Sequence, residues 1–458
     1  MTADYGGLCM QMRVKLFLFM TIGFGIFANA FATSPMKTSQ KLTLKQAIRT
    51  AFESSPYLKA IQSERDTGQT YQDEAKGYRL PQVDVSEIYI RTNSPADVFG
   101  LQLSQEKFSM EDFAMTDANH PSPINDYVTQ LQISQPLYMG GEIKHGILAG
   151  EKMAAASEKK LDRARQDVSF QTTRAYLNVL LAERYVELMD SVVSTVQKHV
   201  ESAQAYFDTG FIMEADLLQA KVFLGQMQQH QIKAQNNVRL AMAFLSNVMG
   251  TDQKQEYKLT DVFTYQPQSY DLKLLVQSGL ESRPDLEEMR LKVEAAKQKI
   301  GVEKAGYKPK VFLVGQLNYH DSNFGGFEGD SYKVMAVAKY NLFNGKRTRA
   351  KVNRAKSQYE SYNNYLTQME NGIQLQIKQA LFRLQEAEQR YKVAKLSYKQ
   401  AKENVILREE RYKKGVEKTT DLLDADTALQ QAATNKLHAL FDYLKAEKNL
   451  NYMIGKDQ

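Results

Sequence analysis

Apolar residues recur at every seventh position along two very long stretches of the chain. The clearer series begins at Ile377 and Leu384 and runs to Tyr412, and an alanine lies three residues after each of its first four members. Such a pattern, sustained over several heptads, is typical of coiled-coil packing. It predicts two long helical hairpins. The first would have an outgoing helix from about residue 143 to 206, roughly 95 Å long at about 1.5 Å per residue, and a return helix from about 214 to 249.

Four shorter stretches alternate apolar and polar residues with the period of two that is typical of β-strands. In the third stretch, one face would carry Leu313 and Leu317, and the opposite face Gln316 and Asn318. About ten residues of such alternation is what a strand of a membrane barrel requires, although a soluble hairpin with one buried face shows the same pattern. The predicted strands lie near residues 83–90, 127–137, 311–320 and 332–342.

The number of strands predicts how the chain assembles. Four strands cannot close a barrel, and an open sheet edge in lipid leaves unpaired backbone groups that cost several kcal/mol each. We therefore expect the chain to oligomerise. Three copies would supply twelve strands, and their helices would form a tube of their own. The predicted fold class is a mixed α/β membrane protein with four strands per protomer, a trimeric 12-stranded β-barrel and a long α-helical coiled-coil barrel.

The chain also matches itself. Residues 137–250 align without a gap on residues 342–455, so that Gly210 falls on Gly415. Upstream, the offset between the copies changes from 205 to 228 residues, which makes the loop between the first pair of strands 23 residues longer than its counterpart. A duplicated unit of this size is a whole structural half. We expect a first repeat at 33–250, an equatorial linker at 251–270 and a second repeat at 271–458.

The N-terminus has the anatomy of a secretory signal. Arg13 and Lys15 precede an apolar run over residues 16–27, which small residues follow. This arrangement predicts a signal peptide with a leader at residues 1–32 and therefore an exported protein. Cys9 is the only cysteine and lies within that segment. We expect the mature chain to have neither disulfides nor thiolate metal sites.

Charge and motifs exclude several classes of function. The net charge of +6 is spread along the chain without a basic patch interleaved with aromatic residues, so nucleic acid is not an expected partner. The sequence shows no nucleophile–base set, phosphate-binding glycine loop or cluster of metal-ligand type. We therefore expect neither an enzyme nor a cofactor or metal site. The six histidines are scattered, and we interpret them as ordinary surface or loop residues.

Several motifs carry a resemblance to a known family. They are Leu44-x-x-Ala47-Ile48, Pro56-x-Leu58, the segment 135–141 (QPLYMGG), Tyr412-x-x-Gly415 and Asp421-x-x-Asp424-Ala425. Together with the duplication, they make the chain resemble the TolC-like outer-membrane efflux protein family. The resemblance implies a homotrimer whose barrel spans the outer membrane lipid and continues into a periplasmic tunnel. It also implies a periplasmic adaptor (membrane fusion) protein and an inner-membrane transporter as partners, and a passive exit duct for drugs, metals or secreted proteins.

Two aspartates after the second glycine turn are candidate gate residues. Asp421 and Asp424 are three residues apart, so both carboxylates would project from one face at the start of a helix. Helix capping is the alternative, because acidic groups in the first turn offset the helix dipole, and Asp421 could itself be the N-cap. The resemblance matches both positions to an acidic ring that narrows the periplasmic entrance. It also matches Tyr412 to a gate tyrosine and Asp216 to the partner that accepts its hydrogen bond.

The sequence departs from the family pattern at one gate position. The family's gate arginine falls on Glu417, with Lys418 beside it, so we expect either a different latch or a looser gate. Gly210 and Gly415 are predicted hinge turns. The residues predicted to face an adaptor at the two tips are Phe211, Ile212, Val416, Glu417 and Lys418. For Phe211 and Ile212 a plain hydrophobic capping role stays open.

A second class of function shares part of this pattern. A periplasmic coiled-coil adaptor or scaffold protein without a barrel would also have long heptads and an export signal. It would lack the two matched strand pairs. The predicted function is an outer-membrane exit duct of a tripartite efflux or type I secretion system, gated at its periplasmic end.

Overall fold

The computed structural model covers the part of the chain that carries the predicted helices and strands. The predicted signal peptide at residues 1–32 lies outside the described residues. The structure describes residues 40–111, 117, 119–253, 255 and 257–456.

The same succession of elements occurs twice. Each half has two short helices, two antiparallel strands, a helix of 67 residues and a shorter return helix. In the first half they are α1 (Leu44–Ser54), α2 (Pro56–Gly77), β2 (Gln82–Thr92), β3 (Ile124–Tyr138), α4 (Glu142–Asp208) and α5 (Glu214–Met249). In the second half they are α6 (Leu272–Ser282), α7 (Pro284–Lys304), β5 (Lys310–Asp321), β6 (Gly329–Lys339), α8 (Arg347–Lys413) and α9 (Thr419–Met453). The elements outside this scheme are β1 (Gln40–Leu42), α3 (Pro95–Ser104), β4 (Tyr257–Leu259) and a 3₁₀ turn (Ala305–Tyr307).

Local sequence sets the boundaries of the short helices. The Thr43 hydroxyl accepts a hydrogen bond from the Gln46 backbone N–H at 3.2 Å, and the Gln46 side chain accepts one from the Thr43 N–H at 2.9 Å. This capping box starts α1. Ser55 ends α1 and Pro56 begins α2, because proline favours the first helical turn and keeps the preceding residue extended. Pro284 separates α6 from α7 in the same way.

The long helices pack against their return helices through small residues. At one end of the first hairpin, Ala203 of α4 and Ala220 of α5 are both buried in one apolar cluster with Leu217. Small side chains at such positions let helix axes approach closely. None of the helices in the described part of the chain combines the length and the apolar character needed to cross a membrane.

The four longer strands form one antiparallel sheet in the order β2-β3-β5-β6. The strand predicted near 83–90 pairs along its whole length with β3, from Gln82 opposite Ser134 to Thr92 opposite Ile124. β6 ends at Lys339, three residues before the predicted limit of 342, because its partner strand begins at Lys310, the residue opposite Lys339.

The two faces of this sheet differ in chemistry. Residues opposite each other on neighbouring strands share a face, and the pairs of Gln130 with Asn318 and of Gln132 with Gln316 therefore lie together. Their amides form hydrogen bonds of 2.9 and 2.8 Å across the two strands. The opposite face is mainly apolar and exposed over the part nearer the helices. It carries Val83, Val85, Leu131, Ile133, Leu313, Leu317 and Val334.

A buried tyrosine ties the N-terminal segment to the first long helix. The Tyr176 hydroxyl lies 2.9 Å from the Leu42 carbonyl oxygen and 2.7 Å from the Asp261 carboxylate. The same carboxylate accepts a 2.6 Å hydrogen bond from the Leu44 N–H. Burial, together with the hydrogen bond to Asp261, raises the pKa of Tyr176, so its hydroxyl stays protonated. This contact fixes α4, β1 and the segment after β4 at the main apolar core.

The linker predicted at 251–270 also packs on the helices. Its strand β4 pairs in parallel with β1. Farther along, the Tyr265 hydroxyl donates to Glu388 of α8 at 2.7 Å, and the Tyr443 hydroxyl of α9 donates to the Gln266 carbonyl oxygen at 2.5 Å. The segment therefore lies across the second hairpin.

Two glycines at equivalent positions show that both repeats have the same close packing at the end of the return helix. Gly250 and Gly455 follow the return helices with φ of 71° and 76°. A Cβ on Gly250 would lie 2.8 Å from the Ser54 carbonyl oxygen, and one on Gly455 would lie 3.1 Å from the Ser282 carbonyl oxygen. In each half, the end of the return helix therefore packs directly on the backbone between the two short helices.

We expect Gly250→Ala to lower the free energy of unfolding by at least about 2 kcal/mol, because it combines left-handed backbone strain with a backbone clash. The control is Gly225→Ala inside α5, where an added Cβ would meet no atom within 4 Å. That change should be neutral or stabilise the protein by up to about 1 kcal/mol. Thermal unfolding followed by circular dichroism compares the two variants. Equal effects of the two changes would contradict the close packing of Gly250 on the Ser54 backbone.

Candidate gate at the hairpin tips

The two hairpin tips, residues 209–213 and 414–418, have the same backbone turn. Gly210 and Gly415 have φ of 75° and 71°. The Phe211 N–H donates to the Tyr206 carbonyl at 2.8 Å, and the equivalent Val416 N–H donates to the Arg411 carbonyl at 3.1 Å. Glycine fits this left-handed helix end without strain. The structure places both predicted hinge turns here.

Tyr412 is buried between the two hairpins. Its ring packs edge-on against Tyr206 of α4, with 5.6 Å between the ring centroids. Its hydroxyl lies 3.3 Å from the Thr419 hydroxyl at the start of α9. Burial raises the pKa of Tyr412, and the negative charge of Asp216 acts in the same direction. Tyr412 therefore connects α8 to α4 and α9.

The hydrogen bond predicted between Tyr412 and Asp216 is not formed within this chain. Tyr412 has Thr419 as its hydroxyl partner instead. The Asp216 carboxylate accepts a 3.3 Å hydrogen bond from the Met213 N–H and so caps its own helix. The two residues lie close enough to interact electrostatically, but each is satisfied locally.

Glu417 lies between two arginines of α8. Its side chain is only 6% exposed, and its carboxylate is 2.7 Å from the Arg411 Nε. The other carboxylate oxygen contacts Arg408, whose guanidinium also lies 3.8 Å from Asp421. Arg408 and Arg411 are three residues apart, so they share one helix face. An acidic residue in the turn, held by two arginines on the helix, occupies the position at which the resemblance predicts an arginine.

The duplicated sequence shows how this cluster replaces an apolar one. With the offset of 205 residues, Arg408 and Glu417 occupy the positions of Ala203 and Ile212. In the first tip, Ile212 packs on the apolar cluster that contains Ala203. Apolar contacts therefore stabilise the turn of the first tip, and ion pairs stabilise the turn of the second. Comparison of the copies is the sequence signal that could have identified Arg408 and Arg411, which the family pattern did not.

Asp421 and Asp424 lie at the beginning of α9. Lys418 is the N-cap of this helix, so the alternative that Asp421 is the N-cap is wrong. Asp421 lies in the first turn, as expected, and is half-buried beside Arg408, whereas Asp424 is exposed. The intervening Leu423 is buried in the apolar cluster of the first tip. That contact fixes the orientation of the two aspartates.

One histidine in this region is not an ordinary surface residue. His199 of α4 is largely buried, and its Nε2 lies 3.1 Å from the Asp426 carboxylate of α9 and 3.7 Å from the Glu409 carboxylate of α8. The interpretation of all six histidines as surface or loop residues is therefore wrong for His199. Among the described residues, no group of His, Cys, Asp and Glu is arranged to hold a metal ion. His199 instead connects three helices near the tips.

The residues predicted to face an adaptor differ in exposure. Phe211 is 80% exposed and Val416 is 64% exposed, and Lys418 is exposed as well. Ile212 packs on the apolar cluster, which fits the capping alternative for this residue. Glu417 is buried by its arginines. The free surface of the tips therefore consists mainly of Phe211, Val416 and Lys418.

Comparison with known proteins identifies the family of the chain. The chain matches the family described as "Outer membrane efflux protein" over residues 47–251 and 275–456. It is 22% identical to the alkaline protease secretion protein AprF of Pseudomonas aeruginosa, covering 90% of this chain and 84% of AprF. It is 19% identical to the outer membrane protein TolC of Escherichia coli strain K12, covering 91% of this chain and 83% of TolC.

Solved structures share the fold. CusC superposes with a TM-score of 0.77 at 16% identity, over 90% of this chain and 92% of CusC. The CmeC outer membrane channel of Campylobacter jejuni superposes with a TM-score of 0.75 at 18% identity, over 90% of this chain and 85% of CmeC. These likenesses confirm the predicted mixed fold of four strands and long helical hairpins. The chain therefore belongs to the outer membrane efflux protein family and is a passive exit duct for efflux or type I secretion, located in the outer membrane and extending into the periplasm.

Proposed function

We propose that three copies of the chain form one duct, with their sheets completing a 12-stranded barrel in the outer membrane lipid. The observation that carries this proposal is the open sheet. Within the part of the chain that the structure describes, β2 and β6 each have a strand neighbour on one side only. An unpaired strand edge is costly in lipid, so the edge of one sheet needs the edge of the next. Three sheets of four strands give twelve, and the apolar face with Val85 and Val334 would lie against lipid.

The helices also need partners, because apolar side chains lie exposed on their surfaces. Leu240 and Phe244 of α5 and Phe382 and Val393 of α8 are apolar and exposed in the single chain. Leu240 and Phe244 are four residues apart and share one face of α5, and an exposed apolar face marks an interaction surface. In the proposed trimer, neighbouring hairpins would cover them and form a helical tunnel below the barrel. The duplication supports a regular tunnel wall, because each chain contributes two nearly equivalent hairpins.

We propose that the hairpin tips form the periplasmic gate. In a trimer, Asp421 and Asp424 would place six carboxylates around the threefold axis. A ring of carboxylates attracts cations and binds multivalent cations tightly. The channel would then be cation-selective at this end and blocked by trivalent cations.

The cluster of Arg408, Arg411 and Glu417 would be the latch of this gate. It joins the end of α8 to the turn that leads into α9, and Arg408 also contacts Asp421. Moving α9 away from the axis, with Gly415 as the hinge, would separate these groups. Separating them would leave the buried Glu417 carboxylate without its partners, so the latch favours the closed position.

The chain works in tripartite efflux with an adaptor and a transporter. We propose that the adaptor contacts the exposed tip residues Phe211, Val416 and Lys418. The alternative of a coiled-coil adaptor without a barrel requires a chain that lacks matched strand pairs. Both strand pairs are present in the described chain, which supports the duct.

Replacing Asp421 and Asp424 together with Asn should weaken block by a trivalent cation such as hexamminecobalt. We expect the concentration for half-block to rise by roughly tenfold or more, because the carboxylates supply the binding charge. Single-channel recording in planar bilayers measures this. Asp73→Asn on α2 removes a carboxylate away from the tips and should leave the block unchanged. Unaltered block in the double variant would refute the acidic ring.

Glu417→Gln should open the resting channel more often. The change removes the charge that holds Arg408 and Arg411, and a loss of about 1.4 kcal/mol from the closed state corresponds to a tenfold rise in the open-to-closed ratio. Resting conductance in bilayers is the readout. Glu410→Gln, an exposed carboxylate seven residues earlier, is the control. The exchange Arg411→Glu with Glu417→Arg should restore closure in part, and a resting state unaffected by Glu417→Gln would rule out this latch.

Tyr412→Phe should have a smaller effect than Glu417→Gln. It removes only the long contact with Thr419 and retains the ring packing on Tyr206. We expect a resting conductance between those of the wild type and Glu417→Gln, measured in the same bilayers. A larger opening in Tyr412→Phe than in Glu417→Gln would show that the tyrosine, not the ion-pair cluster, is the main latch.

A further inference from the structure

The helix α3 lies on the polar face of the sheet. Asp126 and Val128 of β3 are buried at 0% and 6% exposure, and register places them on the same face as Gln130 and His320. These two residues are therefore covered on the polar face, and Val98 of α3 is buried as well.

Polar anchors fix the end of α3 to this face. The buried Gln105 amide donates to the Asn125 carbonyl oxygen and to the Asp126 carboxylate, both at 2.8 Å. The other Asp126 oxygen lies 2.9 Å from the His320 Nδ1. Lys107, two residues farther on, contacts the Ser322 hydroxyl at 2.5 Å and pairs with Glu328. The segment after α3 is thus tied to β3 and to the loop between β5 and β6.

A glycine shows how closely α3 approaches the sheet. A Cβ on Gly329, the first residue of β6, would lie 2.0 Å from the Ser104 carbonyl oxygen at the end of α3. Gly329 is directly opposite His320 in the register, so it lies on the same polar face. α3 follows β2, the strand at the other edge of the sheet, and therefore reaches across the whole width of the sheet.

We propose that α3 lies inside the outer mouth of the duct, where three copies form an external constriction separate from the periplasmic gate. The inference rests on the proposed barrel, in which the apolar face lies against lipid and the polar face lines the lumen. β2 and β3 join the periplasmic helices at their other ends, so α3 lies at the extracellular end.

The dimensions agree with a narrow mouth. Twelve strands about 4.8 Å apart and tilted by about 40° form a barrel of roughly 24 Å between opposite backbones. A helix with its side chains is about 10 Å wide, so three helices on the wall would fill most of that opening. The exposed residues of α3 include Phe99 and Leu103. Their apolar side chains would meet those of the neighbouring subunits near the axis.

The constriction belongs to the first repeat only. The second repeat connects β5 to β6 by residues 322–328, with no helix. The insertion of 23 residues, predicted as a longer loop, is therefore what supplies α3. Its role would be to limit entry of solutes from outside while the periplasmic gate is open for export.

Polymer exclusion in oriented bilayers tests this directly. Poly(ethylene glycol) of graded size is added to the extracellular side, and entry is detected as a fall in conductance. One variant replaces residues 93–123 with residues 322–328. Removing three helices about 10 Å wide should raise the extracellular cut-off by roughly twofold in polymer radius and leave the periplasmic cut-off unchanged.

A point variant with a matched control keeps the test valid if the loop-exchange variant fails to fold. Gly329→Ala must displace α3 and should also raise the extracellular cut-off, whereas Gly315→Ala on β5, where a Cβ meets no atom within 4 Å, should not. If Gly329→Ala and the loop exchange both have the extracellular cut-off of the wild type, the proposed constriction is wrong. That result would not contradict the proposed barrel. A wild type that neither trimerises nor conducts would overturn the proposed function and this inference together.

Discussion

Backbone hydrogen bonding in lipid is the constraint on which the rest of the structure depends. The sheet of β2, β3, β5 and β6 satisfies its inner strands and leaves both edges open. Water could satisfy such edges in a soluble domain, but the outer membrane core cannot. In the proposed trimer, neighbouring copies would pair these edges, and the same assembly would bring the helical hairpins side by side. The proposed duct depends on this pairing.

Duplication supplies the regular parts of the molecule, and the differences between the copies supply its specific features. The corners at Gly250 and Gly455 and the turns at Gly210 and Gly415 are repeated almost unchanged. By contrast, only the second copy has the ion pairs of Glu417, and only the first has α3. A uniform tunnel thus acquires one polar tip, one apolar tip and a covered outer face from a small number of local changes.

The sequence predicts the features that depend on periodicity. Heptads gave the long helices to within about two residues, and alternation located the strands, because both patterns reflect burial along a single element. It did not predict the contacts of Glu417 with Arg408 and Arg411, the burial of His199 or the placement of α3. These depend on which elements pack together, and a residue's spacing within its own element carries no information about that. The exact start of α9 was not predicted either, since its N-cap is Lys418 and not Asp421.

The oligomeric state of the protein extracted from the outer membrane tests the central claim most directly. Light scattering coupled to size-exclusion chromatography, with the mass of bound detergent subtracted, gives the protein mass of the complex. We expect three times the mass of the mature chain and a complex that dissociates only on heating. A stable monomer that stays soluble without detergent would contradict it, because the open sheet edges would then be satisfied without neighbouring copies.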